Sequence, residues 1–174
     1  MPASPLVAPL TELRRHLGAR REVEASVDLP GLATSTAAVV DGEPVEVDLV
    51  IESIPQGVSV SGTVRARWVG QCRRCLDDVL GDVDVDVKEI FERMPTEGET
   101  WPLGADEIDL EPVVREAVLL ALPLAPLCDE GCLGPAPDRF PATVEDDDDR
   151  DDEGEAELPR DPRWAALDQL DLGD

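Results

Sequence analysis

Four cysteines carry the clearest chemistry in this sequence of 174 residues. They form two close pairs, Cys72-Arg-Arg-Cys75 and Cys128-Asp-Glu-Gly-Cys132, with 52 residues between the pairs. Two such pairs can supply four thiolates to one tetrahedral zinc ion. The sequence therefore predicts a structural zinc site formed by all four cysteines, which would tie the C-terminal loop with the second pair to the sheet around the first.

Other uses of these cysteines stay open at the level of sequence. Two cysteines separated by two residues also fit a redox dithiol, so Cys72 and Cys75 could exchange electrons through a disulfide. Against this, Arg73 and Arg74 lie between them, and the pattern predicts no helix behind the pair to lower a thiol pKa. A third interpretation leaves some of the cysteines as free thiols.

Arginines near the first cysteine pair are the second candidate site. Residues 57–76 contain no Asp or Glu, although the chain has 40 of them. If strands 58–69 and 79–91 form a hairpin with Val64 opposite Val85, Arg65 faces Asp84 and Arg67 faces Asp82. Such cross-strand pairs contribute about 0.2–1 kcal/mol each. Arg73 and Arg74, at the turn, are then the better contacts for phosphate.

A second arginine group lies in the N-terminal segment, where Arg14, Arg15, Arg20 and Arg21 give residues 1–25 a net charge of +1. The predicted contacts to RNA or a protein partner are Arg14, Arg15, Arg20, Arg21, Arg65, Arg67, Arg73 and Arg74.

Hydrophobic periodicity predicts the elements that must position these residues. Apolar side chains alternate with polar ones from residue 22 to 29, 45 to 51, 58 to 69 and 79 to 91, which is typical of an antiparallel sheet with one face in water. A short helix is expected over Thr11–Leu17, and another from the cap Asp109 to about Leu122, before Pro123. The fold class is α+β: a mainly antiparallel, twisted sheet of about four to six strands, open or closed into a partial barrel, with one packed helix and short terminal helices.

Composition divides the chain into three parts. Residues 1–141 form one α+β domain that includes both cysteine pairs. Residues 142–160 read as an acidic, disordered linker, because residues 145–157 hold ten acids and one Arg. Residues 161–174 read as a short amphipathic helix whose Trp164 and Leu167 dock on the chain's own sheet or in a partner's groove.

The net charge of −25 excludes whole classes of function. A broad basic surface for nucleic acid is excluded, as is binding to an anionic membrane. No apolar stretch reaches the ~20 residues of a membrane span, and the first ten residues lack the positive charge of a signal peptide. We therefore expect a cytoplasmic protein that binds neither membrane nor DNA. With one His and no Tyr, the sequence also lacks the groups for common nucleophilic catalysis, so no enzymatic activity is predicted.

Three motifs stand in a specific order along the chain. They are the Cys72-Arg-Arg-Cys75-Leu76 turn between two valine-rich strands, the run from Leu110 to Cys128, which includes Glu111-Pro112-Val113-Val114-Arg115-Glu116-Ala117, and the closing Asp161-Pro162-Arg163-Trp164. Together they resemble the YceD family of large ribosomal RNA subunit accumulation proteins, in its actinobacterial branch. The resemblance covers nearly the whole chain, and the order of the motifs is specific.

The resemblance implies a non-enzymatic factor needed for large-subunit ribosomal RNA, with cysteines that bind metal. Many relatives continue with a further Cys-x-x-Cys element, and Ala136 and Arg139 stand at those positions here. Only the two earlier pairs therefore remain for a shared site. The partner is large-subunit ribosomal RNA, a precursor particle, or a basic ribosomal protein that this acidic chain would escort as a chaperone.

Overall fold

A computed structural model of the chain describes residues 4–139. Its main element is a sheet of six strands built around a long hairpin, β5 (Gly57–Gln71) and β6 (Asp78–Glu92). β4 (Val45–Ile54) pairs with β5, and β2 (Arg20–Val27) pairs with β4, all antiparallel. Two short strands complete the sheet: β3 (Ala37–Val39) on β5, and β7 (Trp101–Pro102) parallel to β6.

The hairpin has the register that was considered above for the arginine pairs. Val64 pairs with Val85, and this places Arg65 opposite Asp84 and Arg67 opposite Asp82. A shift by one residue would turn every buried side chain toward water, which is why the pattern of buried and exposed residues fixes the register.

A second layer covers one face of this sheet. β1 (Val7–Pro9) pairs antiparallel with β8 (Glu107–Asp109), and helix α1 (Glu111–Ala121) follows directly. The Asp109 carboxylate accepts a hydrogen bond from the Glu111 N–H, and α1 turns Val114 and Val118 fully inward. Sheet residues such as Val47, Leu49, Val60 and Val64 complete the core, while acids and hydroxyls line the other face. Over residues 4–139 the chain is mostly sheet with one helix, which confirms the α+β class.

The helix predicted over Thr11–Leu17 is wrong. The segment is a series of turns in which one N–H, that of Arg14, reaches back four residues to Leu10, and the next, that of Arg15, reaches back only three to Glu12. Seven residues give too few hydrogen bonds to offset the cost of starting a helix. The buried side chain of Leu13 holds the segment to the core instead.

The partial barrel is likewise not formed by residues 4–139, because their main sheet is open, from β2 at one edge to β6 and β7 at the other. Among these residues, no helix is long and apolar enough to cross a membrane. The predicted acidic linker and the C-terminal helix with Trp164 and Leu167 lie outside the described residues, so the division into 1–141, 142–160 and 161–174 stays a prediction.

Candidate metal centre

The first cysteine pair lies in the tight turn that joins β5 to β6. The Cys72 N–H donates to the carbonyl of Asp77 at 2.8 Å, and the Leu76 N–H donates to the carbonyl of Cys72 at 2.9 Å. Leu76 has a φ of +66°, a left-handed conformation that reverses the chain directly after Cys75. The Cys72 sulfur also accepts the Arg74 N–H at 3.5 Å. This turn brings both sulfurs to the end of the hairpin.

The second pair lies in a loop that follows α1 and is anchored to the same turn. The Thr36 hydroxyl donates to the carbonyl of Pro123 at 2.9 Å, and the Arg73 N–H donates to the carbonyl of Pro126, also at 2.9 Å. Pro126 is itself buried. The loop therefore cannot leave the hairpin end without breaking these contacts.

The Arg74 side chain joins the two cysteine segments. Its Nη1 donates to the carbonyl of Glu130 at 3.0 Å and to the carbonyl of Cys132 at 2.8 Å. Arg74 was predicted as a phosphate contact, and the structure places its guanidinium on the loop backbone.

The four cysteine sulfurs meet at one point. Cys72 Sγ lies 3.9 Å from Cys132 Sγ, Cys75 Sγ lies 3.6 Å from Cys128 Sγ, and all four lie within 4.8 Å of one another. A zinc ion with four Zn–S bonds of about 2.3 Å places neighbouring sulfurs about 3.8 Å apart. None of these cysteines is in a disulfide. The donor set and its spacing therefore fit a tetrahedral four-thiolate metal centre.

The turn backbone and the neighbouring sulfurs shift the pKa values of three of these cysteines. The backbone N–H of Cys75, and after it that of Cys128, lowers the pKa of Cys72 to about 6. The backbone N–H of Asp77 favours the Cys75 thiolate too, but burial and the side-chain hydrogen bonds of Asp77, Cys72 and Cys128 outweigh it and raise the pKa of Cys75. The Cys132 side chain raises the pKa of Cys128. Neighbouring thiolates repel one another, and a divalent cation removes that penalty.

The strand arginines are engaged in ion pairs. Arg65 Nε donates to Asp84 Oδ2 at 2.9 Å, as predicted, and this contact raises the pKa of Arg65. The predicted pair of Arg67 with Asp82 is wrong, because Arg67 Nη1 lies 3.5 Å from Glu43 Oε1 instead. The Arg67 backbone carbonyl accepts the N–H of Val40, which brings the loop with Glu43 beside the strand.

The two predicted arginine groups lie at opposite ends of the sheet. Arg20 pairs with Glu52, which lies opposite Ser59 near the start of β5, whereas Arg73 follows the end of that strand. Fifteen residues of strand span up to about 46 Å, so Arg14, Arg15, Arg20 and Arg21 cannot share a compact site with Arg73 and Arg74. Arg20 is bonded to Glu52 at 3.0 Å, and Arg14 lies 3.6 Å from Asp106.

A groove beside the metal centre could not be predicted from the sequence, because its walls come from distant segments. It has a volume of about 420 Å³ and includes Thr34, Ser35, Thr36, Arg73 and Leu124, and none of its lining residues is acidic. The Arg73 side chain is exposed there. The lining of this groove combines hydroxyls, one guanidinium and apolar side chains and contains no carboxylate. Such a lining suits an anionic ligand.

Comparison with known proteins agrees with the motifs. The model of the family described as large ribosomal RNA subunit accumulation protein YceD matches residues 60–171, which include all four cysteines. Uncharacterized proteins of Mycobacterium tuberculosis strain H37Rv and of Mycobacterium bovis are each 34% identical over 174 residues, covering 95% of this chain and 81% of theirs. One from Mycobacterium leprae is 34% identical over 139 residues, 75% of this chain and 64% of its own. No solved structure matches.

Proposed function

Because the chain belongs to the YceD family of large ribosomal RNA subunit accumulation proteins, we propose that it is a non-enzymatic factor for the accumulation of that RNA, acting by binding. The observation that carries the proposal at this chain's own surface is the acid-free groove around Arg73. In a molecule of net charge −25, a groove without carboxylates is where a phosphate can approach with the least repulsion.

The contact would work through a few groups at the hairpin end. The Arg73 guanidinium binds a phosphate, and the Ser35 hydroxyl donates to a phosphate or sugar oxygen, since the hydroxyls of Thr34 and Thr36 already donate to the carbonyls of Ala37 and Pro123. The exposed Leu76 and Leu124 pack on the faces of unstacked bases. Only a local contact is expected, so the slope of log affinity against log salt should correspond to one or two phosphates, at about 0.7 each for single-stranded RNA.

The metal centre has a structural part in this proposal. Cys72, Cys75, Cys128 and Cys132 would hold a zinc ion, whose chemistry is to bind four thiolates and so contribute folding free energy. The two segments it joins both line the groove, through Arg73 and Leu124. Four converging sulfurs favour this interpretation over the redox dithiol of Cys72 and Cys75.

The test is RNA binding by purified chain with fluorescent fragments of large-subunit ribosomal RNA. Arg73→Glu should weaken binding about tenfold or more, since it replaces an attraction with a repulsion. Lys88→Glu makes the same change of net charge on β6, away from the groove, and should leave binding nearly unchanged. Equal affinity for the parent chain and Arg73→Glu would overturn this contact, and Arg15→Glu with Arg21→Glu would then test the far end of the sheet.

A second candidate function is escort of a basic ribosomal protein. The net charge of −25 favours it, because an acidic surface attracts and screens a basic protein. Affinity capture of the tagged chain from gently lysed cells, with and without RNase, separates the two functions. Large-subunit precursors that disappear with RNase support RNA binding, whereas a basic ribosomal protein retained through RNase supports the escort.

A further inference from the structure

β6 is an edge strand whose outer side is largely unpaired among residues 4–139. β5 pairs with it along its whole length, but on the other side β7 pairs only with Phe91 and Glu92. Residues 78–90 therefore present a row of backbone N–H and C=O groups to which another extended chain can bind.

An apolar groove runs between this open edge and α1. It has a volume of about 240 Å³. Its apolar lining residues are Val85, Val87, Trp101, Val113, Ala117, Leu120 and Ala121. The Leu120 side chain is 78% exposed, so the helix side of the groove lacks a cover in the described part of the chain. A strand added to β6 would direct every second side chain toward this groove.

The rim of the groove is acidic. Asp86, Glu89 and Glu116 line it, and Glu89 and Glu116 continue into an adjoining depression that also contains Glu99. No Lys or Arg lines either space. The Trp101 indole N–H donates to Glu89 Oε2 at 2.9 Å, which holds a carboxylate beside an aromatic ring. Several carboxylates along one edge are a favourable environment for a guanidinium or ammonium group.

We propose that the open edge of β6 binds an extended, basic segment of a protein partner as an additional strand. In that segment apolar side chains alternate with Lys or Arg. The apolar ones enter the groove under α1, and the basic ones project toward Asp82 and Asp86 on the outer face. Asp84, between them, is already paired with Arg65. This surface is separate from the groove of Arg73, so it goes beyond the proposed RNA contact.

The same charges disfavour a second copy of this chain as the occupant. Two β6 edges placed side by side would bring rows of Asp together, which destabilises strand pairing. The opposite edge, β2, also exposes acids, Glu22 and Glu24, but its inward Val23 and Val27 are buried, and the depression beside it is lined by an arginine, Arg65, as well as by acids. β2 therefore serves as an internal control.

The probe is an acetylated, amidated ten-residue peptide that alternates Val or Leu with Lys or Arg. Its matched control is the same peptide N-methylated at alternate amides, with equal charge and side chains but without the hydrogen bonds of one edge. We expect the control to bind at least about tenfold more weakly. In hydrogen exchange followed by NMR, every second amide of residues 79–90 should gain protection, and the amides of β2 should not.

Charge reversal tests the surface. Asp82→Lys with Asp86→Lys should reduce peptide affinity about tenfold or more, whereas Glu22→Lys with Glu24→Lys, an equal change of net charge on β2, should reduce it far less. All four side chains are exposed, so both variants should fold, and a circular dichroism melt checks this.

Three outcomes would overturn the proposal. Equal binding of the N-methylated peptide would reduce the effect to general attraction between opposite charges. Protection of β6 by a ribosomal RNA fragment in place of the peptide would assign the edge to nucleic acid. A dimer of the free chain in sedimentation, with β6 amides protected, would assign it to a second copy.

Discussion

At the scale of single residues, neighbouring side chains of the same type do different work. Arg73 and Arg74 are adjacent in the cysteine turn, and the sequence gives no reason to separate them. In the structure Arg74 is bonded to two carbonyls of the second cysteine loop, while Arg73 lines the groove and is exposed. One arginine holds the candidate metal centre together, and its neighbour is the candidate ligand contact.

Stability measurements should separate these two arginines. Arg74→Ala removes two hydrogen bonds from a charged donor. We expect this to lower the free energy of unfolding by about 1–2 kcal/mol, a small loss for hydrogen bonds to a charged group, because the site is exposed. Arg73→Ala should change it by less than about 0.5 kcal/mol. Urea unfolding followed by tryptophan fluorescence measures both, and equal losses would contradict the assignment of Arg74 to the loop.

Metal removal tests the cysteine cluster directly. The purified chain should contain about one zinc ion per molecule by elemental analysis, and Cys75→Ser should lose it. A strong chelator should lower the melting temperature of the parent chain but not that of Cys75→Ser, since only the parent has metal to lose. The metal centre would be contradicted if the parent chain, purified with zinc present, contained no metal and if the chelator left its melting temperature unchanged.

At the scale of elements, the hairpin of β5 and β6 connects the two proposed surfaces. Its turn carries the first cysteine pair, and the outer side of β6 is the open edge. Gly62 in the middle of β5 has a φ of +148°, and a Cβ there would lie 2.1 Å from the carbonyl oxygen of Asp48 on β4. This close approach of β4 and β5 requires a glycine.

Gly62→Ala should therefore destabilise the sheet. We expect a loss of more than about 1 kcal/mol in the free energy of unfolding, because alanine adds both a backbone strain and a clash with β4. Ser61→Ala, at the exposed neighbour, is the control and should be nearly neutral. If thermal melts show the two variants to be equally stable, β4 does not approach β5 this closely.

At the scale of the whole molecule, the distribution of charge decides which partners can approach. The run at residues 145–157 contributes −9 of the net −25. Two local features of the described domain modify the negative potential that this net charge creates. They are a carboxylate-free groove around Arg73 and an acidic rim along β6. General attraction depends strongly on salt, whereas backbone pairing at a strand edge depends on it much less.

Deletion of residues 145–157 separates these contributions. Binding of a basic ribosomal protein by charge screening should weaken on deletion at low salt, and the difference should disappear in high salt. Binding of the alternating peptide at β6 should change less than twofold in the same titration. An affinity for the basic partner that changes neither on deletion at low salt nor on raising the salt concentration would exclude charge screening as the escort mechanism.

The strands, their register and the cysteine quartet could be predicted because their signals are local. Alternation fixes which face of a strand is buried, and the register considered for the hairpin, with Val64 opposite Val85 and Arg65 opposite Asp84, is the one that forms. Pairs of cysteines at short spacing predicted one four-thiolate site, and the sulfurs do converge. The motifs also identified the family that the comparison shows.

Only the tertiary structure decided what depends on segments far apart in the chain. The turn over Thr11–Leu17 is held by buried Leu13 and not by its own helical hydrogen bonds, and Arg67 pairs with Glu43 because a loop folds back beside β5. The same reason applies to four further features: the separation of the two arginine groups, the role of Arg74, the acid-free groove and the open edge of β6. Each depends on which distant segments pack against one another. The sequence of a single segment does not show this.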